Sequence, residues 1–129
     1  MEIRDLLQHY KLGRRNFESI KFRNCNLSRQ DLKAVDFSYA DLSLSVLVNV
    51  NFTAAYLIET NLSRSDLRNA NLYHANLSGA DLSFADLKGT YLMNANLFGA
   101  SLYCVGLTGA DVSGAIMPDG TVMPKNTVF

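Results

Sequence analysis

Two cysteines, two histidines and many serines and aspartates are the residues of this 129-residue chain with chemistry to offer. Cys25, Cys104, His9 and His74 are scattered, and none pair at the short spacing of a zinc site. Nucleophilic catalysis needs a nucleophile, a base and an orienting group together. Six serines (Ser28, Ser38, Ser43, Ser63, Ser78 and Ser83) instead share one sequence register, which marks an outer surface rather than a nucleophile. The aspartates recur in the same regular way and read as turn hydrogen-bonders, and His74 as an inert surface side chain. No glycine loop of phosphate-binding type is present. The expectation is therefore no enzyme, no metal and no cofactor.

The register is the larger fact. From Phe17 to Val112 a large apolar residue stands at every fifth position, twenty positions in all, and nineteen of them are Leu or Phe. Neither a helix nor a strand has period five, so an internal repeat is required. We call each such residue a centre. Two residues before it the side chain is small, as at Ala40, Ala55, Ala70, Ala75, Ala80 and Ala85; immediately before it stands Asn or Asp at fourteen of the twenty positions. One five-residue unit cannot bury its Leu, but stacked coils can, each Leu resting on Leu of its neighbours. The Asn and Asp side chains are expected to bond backbone at the turns. A ladder between coils would satisfy the remaining amides and carbonyls.

The ends and the charge depart from this regularity. Ile3, Leu6, Leu7 and Tyr10 follow helical spacing, with Glu2 and Asp5 early, His9 and Lys11 late, and Gly13 placed to end the helix. Such a helix would cover the first coil, while Met117, Val122, Met123, Val128 and Phe129 would cover the last. Both prolines, Pro118 and Pro124, lie outside the repeat. Residues 1–33 hold eight basic and four acidic side chains, although the whole chain is neutral; this dipole could orient an encounter, and the simpler reading is a solvated surface. The glycines at a corner, Gly79, Gly89, Gly99, Gly109 and Gly114, all fall late, which predicts corner geometry that changes along the chain. No apolar run approaches a membrane span. Met1–Tyr10 lacks the apolar stretch of a secretory signal, and together with the cysteines this points to the cytoplasm.

The unit Ala-Asp/Asn-Leu-Xaa-Xaa, held over about residues 15 to 115, resembles the pentapeptide-repeat family. The segment Ala115-Ile116-Met117-Pro118-Asp119-Gly120-Thr121 is similar to the exit of cyanobacterial members. The resemblance implies an all-β solenoid: a right-handed quadrilateral β-helix, four units per coil of about twenty residues, of about five coils, with an N-terminal α-helical cap. The expected organisation is a capping helix at 1–13, the β-helix at 14–116 and a capping tail at 117–129. On that architecture Cys25 points inward and Cys104 sits at an outer corner about four coils away, roughly 19 Å at ~4.8 Å per coil, too far for a disulfide.

Mimicry of duplex DNA toward DNA gyrase is one activity known in this family. It needs an extended acidic surface. Here the position before the centre reads, in twenty-residue steps, Lys21, Asp41, Asn61, Asp81, Ser101 and, on the next face, Asn26, Val46, Asp66, Asp86, Gly106. Acidic residues are interrupted, and the unbroken register leaves no room for projecting loops. A non-catalytic scaffold or protein-interaction module fits better, with gyrase binding or inhibition as the alternative. The expected partner surface is Tyr73, Tyr91 and Met93 on one face with Tyr56, Ile58 and Phe98 on the next. The partner is an unidentified protein, with no nucleic acid and no membrane expected. The tail favours a monomer, a C-terminal dimer being the other arrangement.

Overall fold

The computed structural model describes all 129 residues. Helix α1, Ile3–Lys11, opens the chain; its amphipathic spacing buries Leu6 completely and packs Ile3, Leu7 and Tyr10 against the core. The Asp5 carboxylate accepts from the Glu2 N–H at 3.1 Å, where acidic groups complement the helix dipole. At the other end the Gly13 N–H donates to the Tyr10 carbonyl and the Arg14 N–H to the His9 carbonyl. Gly13 takes φ +106°, the left-handed turn that closes a helix in this way.

From Asn16 to Ile116 the chain winds as a β-helix. The residue before each centre pairs in parallel with the residue twenty positions on, beginning at Asn16 and Asp36 and ending at Asn96 and Ile116. The ladder is regular: Leu57 N–H donates to Asn76 O at 2.7 Å and Asn76 N–H to Ala55 O at 2.9 Å. A turn follows every centre, so one circuit has four sides. We number these faces by their centres: the first from Phe17, the second from Phe22, the third from Leu27 and the fourth from Leu32.

Packing follows the sequence pattern with three exceptions. Seventeen centres are buried; the three half-buried ones, Phe22, Leu102 and Leu107, all lie in the end coils. The phenylalanines pack edge-on or tilted at the N-terminal end, Phe17 to Phe37 at 5.9 Å and Phe37 to Phe52 at 6.1 Å between ring centres. The hydroxyls at the small inward positions are satisfied, as Thr60 donates to Phe37 O at 2.8 Å, Ser65 to Leu62 O at 2.6 Å and Thr90 to Leu87 O at 2.8 Å, whereas the buried Ser38 hydroxyl has no partner. Each of the fourteen Asn or Asp residues before a centre accepts, through Oδ1, the N–H two residues later.

The corners correct one expectation. Geometry does not drift toward glycine-dependent turns; every corner residue is left-handed, from φ 52° at Glu59 to 76° at Gly109, whether it is Tyr39, Leu44, His74, Phe84 or glycine. The physical reason is the ladder. Every corner N–H but that of Cys104 donates to the next coil or to the tail, as Tyr39 N–H does to Ile58 O at 2.8 Å and His74 N–H to Met93 O at 3.1 Å. A left-handed L-residue costs roughly 1–2 kcal/mol, and strain of that kind persists where surrounding bonds over-determine it.

The C-terminal tail reverses direction over the last coil. Ile116 pairs antiparallel with Val122, and Asp111 with Val128. Val112 N–H reaches Thr127 O, Gly114 N–H reaches Met123 O and Gly109 N–H reaches Phe129 O, at 2.7 to 3.0 Å. No helix is long and apolar enough to cross a membrane.

Candidate protein-interaction surface

The residues with chemistry do not converge. No group of three or more His, Cys, Asp and Glu side chains comes together. Cys25 is partly buried, its thiol 3.3 Å from Ser45 Oγ, and burial pushes it further from the thiolate. His74 lies edge-on to the Tyr73 ring at 4.2 Å between ring centres. Most of the serines in the shared register spend their hydroxyls on the neighbouring carboxylate or amide, as Ser83 does on Asp81 at 2.6 Å and Ser63 on Asn61 at 2.7 Å. Asp41 and Asp111 are held below the usual carboxylate range chiefly by such serine hydroxyls, from Ser43 and Ser113. These are turn interactions, not paired acids.

What the faces do present is apolar relief. On the first face the corner column runs Tyr39, Glu59, Gly79, Gly99, and the column beside it Ser38, Ile58, Ser78, Phe98. Two glycines without side chains, next to one serine, leave a step between Ile58 and Phe98. The result is a hollow of about 430 Å³ lined by Tyr39, Ile58, Glu59, Ser78, Gly79, Phe98 and Gly99. Its shape depends on those glycines: a Cβ at Gly79 would meet Glu59 Cγ at 2.8 Å. Phe98 stays 58% exposed although the tail approaches it at Gly120.

Of the six residues expected from sequence, the hollow unites Ile58 and Phe98. Tyr56 is half-exposed in the ladder column between Asp36 and Asn76. Tyr73 and Tyr91 are exposed on the fourth face, and Met93 lines a second hollow with Asn94, Asp111, Ser113, Gly114, Lys125 and Asn126. Sequence reading missed Tyr39, which is 55% exposed. It also missed a cluster on the second face, where Phe84 meets Tyr103 edge-on at 5.4 Å and the Arg64 guanidinium lies 4.5 Å over the Phe84 ring. Both were readable by stacking corner residues in twenty-residue columns, which puts Tyr39 and Glu59 in line with two glycines and Arg64 beside Phe84.

Acidic side chains form no continuous wall. Asp66 is gripped by Arg68 through two bonds of 2.8 and 2.7 Å, and Lys88 follows Asp86 on the same face.

Comparison with known proteins agrees with this architecture. The model for pentapeptide repeats matches in eight copies across residues 16–47, 45–83 and 75–114. A crystal structure of the pentapeptide repeat protein Rfr23 from the cyanobacterium Cyanothece 51142 is 32% identical. That match spans 95% of this chain and 99% of that one, with a TM-score of 0.82. A pentapeptide repeat protein from the Arabidopsis thaliana thylakoid lumen shares the fold at 23% identity, over 84% of this chain and 73% of its own, with a TM-score of 0.62. No curated protein matches. The period, the ladder and these matches together make the chain a member of the pentapeptide-repeat family.

Proposed function

We propose that the protein is a non-catalytic scaffold that binds another protein through its first and fourth faces. The observation that carries this reading is the hollow bounded by Tyr39, Ile58 and Phe98 on a rigid hydrogen-bonded wall. Exposed aromatics beside a concave step are the usual anchors of an interface, because an inserted side chain is desolvated there at little ordering cost. Tyr56, Tyr73, Tyr91 and Met93 extend the surface around that anchor. In this reading the chain is a right-handed helix of five coils, residues 14–116, closed by the helix at 1–13 and the tail at 117–129. It works as a cytoplasmic monomer, for which the two unpaired cysteines and the tail's cover of the last coil are the support.

A supercoiling assay separates this reading from DNA mimicry toward gyrase. The interrupted acidic columns predict no effect on gyrase at stoichiometric protein. Stoichiometric inhibition or protection would replace the scaffold reading with the mimic.

A further inference from the structure

The first coil carries a charge pattern that the aromatic faces do not explain. Between residues 11 and 33 stand seven cations, Lys11, Arg14, Arg15, Lys21, Arg23, Arg29 and Lys33, against two carboxylates, Glu18 and Asp31; Asp36 and Asp41 of the second coil lie beside them, Asp41 next to Lys21 and Arg23. All seven cations are exposed. None is ion-paired, since the chain's two salt bridges join Arg4 to Glu2 and Arg68 to Asp66. In later coils the N–H before each centre donates to the coil behind, as Asp41 N–H does to Ile20 O and Val46 N–H to Cys25 O. Lys21, Asn26 and Asp31 belong to the first coil, so their N–H groups have no coil behind them and no partner in the chain. Unpaired cations and unpaired N–H donors therefore share one rim, and both select for anionic oxygen.

Two of the cations are pre-oriented. Arg15 lies 3.7 Å over the Tyr10 ring and donates to Tyr10 O at 2.8 Å; Arg14 lies 4.5 Å over Phe17 and donates to Asn16 O at 2.8 Å. This arrangement weighs against nucleic acid. The Tyr10 ring is covered by the Arg15 guanidinium and Phe17 is buried in the core, and the cations circle an end instead of lining a groove. It also weighs against a membrane surface. The apolar face of α1, Leu6 above all, is spent on the core and cannot enter a bilayer. Because the N–H groups are spread around corners, a straight strand cannot pair them together, whereas carboxylates on a flexible segment can reach each one.

We propose that this rim docks an acid-rich, extended segment of a partner protein. The inference rests on the reading of the solenoid as an interaction module, but it uses a separate surface. The probe is a fluorescein-labelled peptide of alternating glutamate and serine, titrated with the full chain and followed by anisotropy. Binding is expected at low salt and weakens as salt is raised. The variant K21E/R23E/R29E should lose about tenfold or more in affinity, while K88E on the third face leaves it unchanged. Circular dichroism and melting verify folding, and the milder K21Q/R23Q/R29Q should lose less than the reversal. Absence of peptide binding at low salt, or unchanged affinity in both triple variants, overturns the proposal. So does duplex DNA or an anionic vesicle bound more tightly than the peptide through the same three residues. If partner capture through Ile58 and Phe98 persists while the peptide fails, the rim is refuted and the module reading stands.

Discussion

At the N-terminal end the open edge of the solenoid meets a helix; at the C-terminal end it meets an extended tail. The helix closes by packing: Leu6 is fully buried, and behind it Phe17, Phe37 and Phe52 interlock. The tail closes by backbone pairing, at Gly109, Val112 and Gly114. It leaves Leu102, Val105 and Leu107 half-buried, and the N–H groups of Leu102, Cys104 and Leu107 without partners in the chain. The comparison teaches that a repeat specifies its own interior but not its ends. Each end needs a separate device, and the two devices have different strengths because apolar burial and edge pairing scale differently.

The largest test of this contrast is Phe37→Ala, which should cost about 3–5 kcal/mol because it empties a site between two other rings. Leu102→Ala, half-buried at the other end, should cost well under that, and denaturant unfolding compares the two. Leu6→Ala should cost about 2–5 kcal/mol, as a buried Leu does. Removing residues 122–129 breaks ladder bonds worth about 0.5–1.5 kcal/mol each. It also bares an edge, so light scattering should show increased association. A tight full-length dimer that becomes monomeric on this deletion would make the tail an interface.

Corner substitutions are subtler. Gly99→Ala meets nothing closer than Gly79 N at 3.9 Å, so it isolates the left-handed cost and should lose about 1–2 kcal/mol. Ala54→Gly, at φ 58°, should gain up to about 1 kcal/mol, reduced by the chain entropy that glycine adds to the unfolded state. No change in stability at either site would mean that the ladder does not hold the corners.

Acid should act oppositely on Glu18 and on the aspartates of the last coil and tail. Glu18 is held above the usual carboxylate range by its hydrogen bond with Asp36. Its protonated form is favoured by folding, so that contribution is present at low pH and is lost as pH rises through its folded pKa. Asp111 and Asp119 are held below the range by Ser113 and Thr121; their contribution is present at neutral pH and is lost as pH falls through their folded pKa values. Melting from neutral to about pH 3 should therefore show a shallower acid loss in Asp111→Asn and a steeper one in Glu18→Gln.

The interior was legible because burial imposes a period: nothing but a stacked core explains Leu or Phe at every fifth position from Phe17 to Leu107. The turn bonds were legible because Asn and Asp have one short way to reach the backbone two residues on. Corner geometry was not, since Tyr39, Leu44 and His74 have no local reason to be left-handed and are set there by bonds to the next coil. The hollow escaped notice because its walls, Tyr39, Ile58 and Phe98, come from three coils and its floor from two absent side chains. The tail's antiparallel register was equally hidden, because residues 122–129 carry no repeat.

The central claim, that the protein acts by binding a partner on the first face, is tested most directly by quantitative affinity capture from the native cell. Wild-type protein should be compared with Ile58→Asp/Phe98→Asp, both melting alike. A defined protein should be retained near stoichiometry by the wild type and reduced at least tenfold by the double variant, as expected when interface anchors are replaced. Equal retention by both, or turnover of a substrate panel that disappears in His74→Ala, would contradict the account.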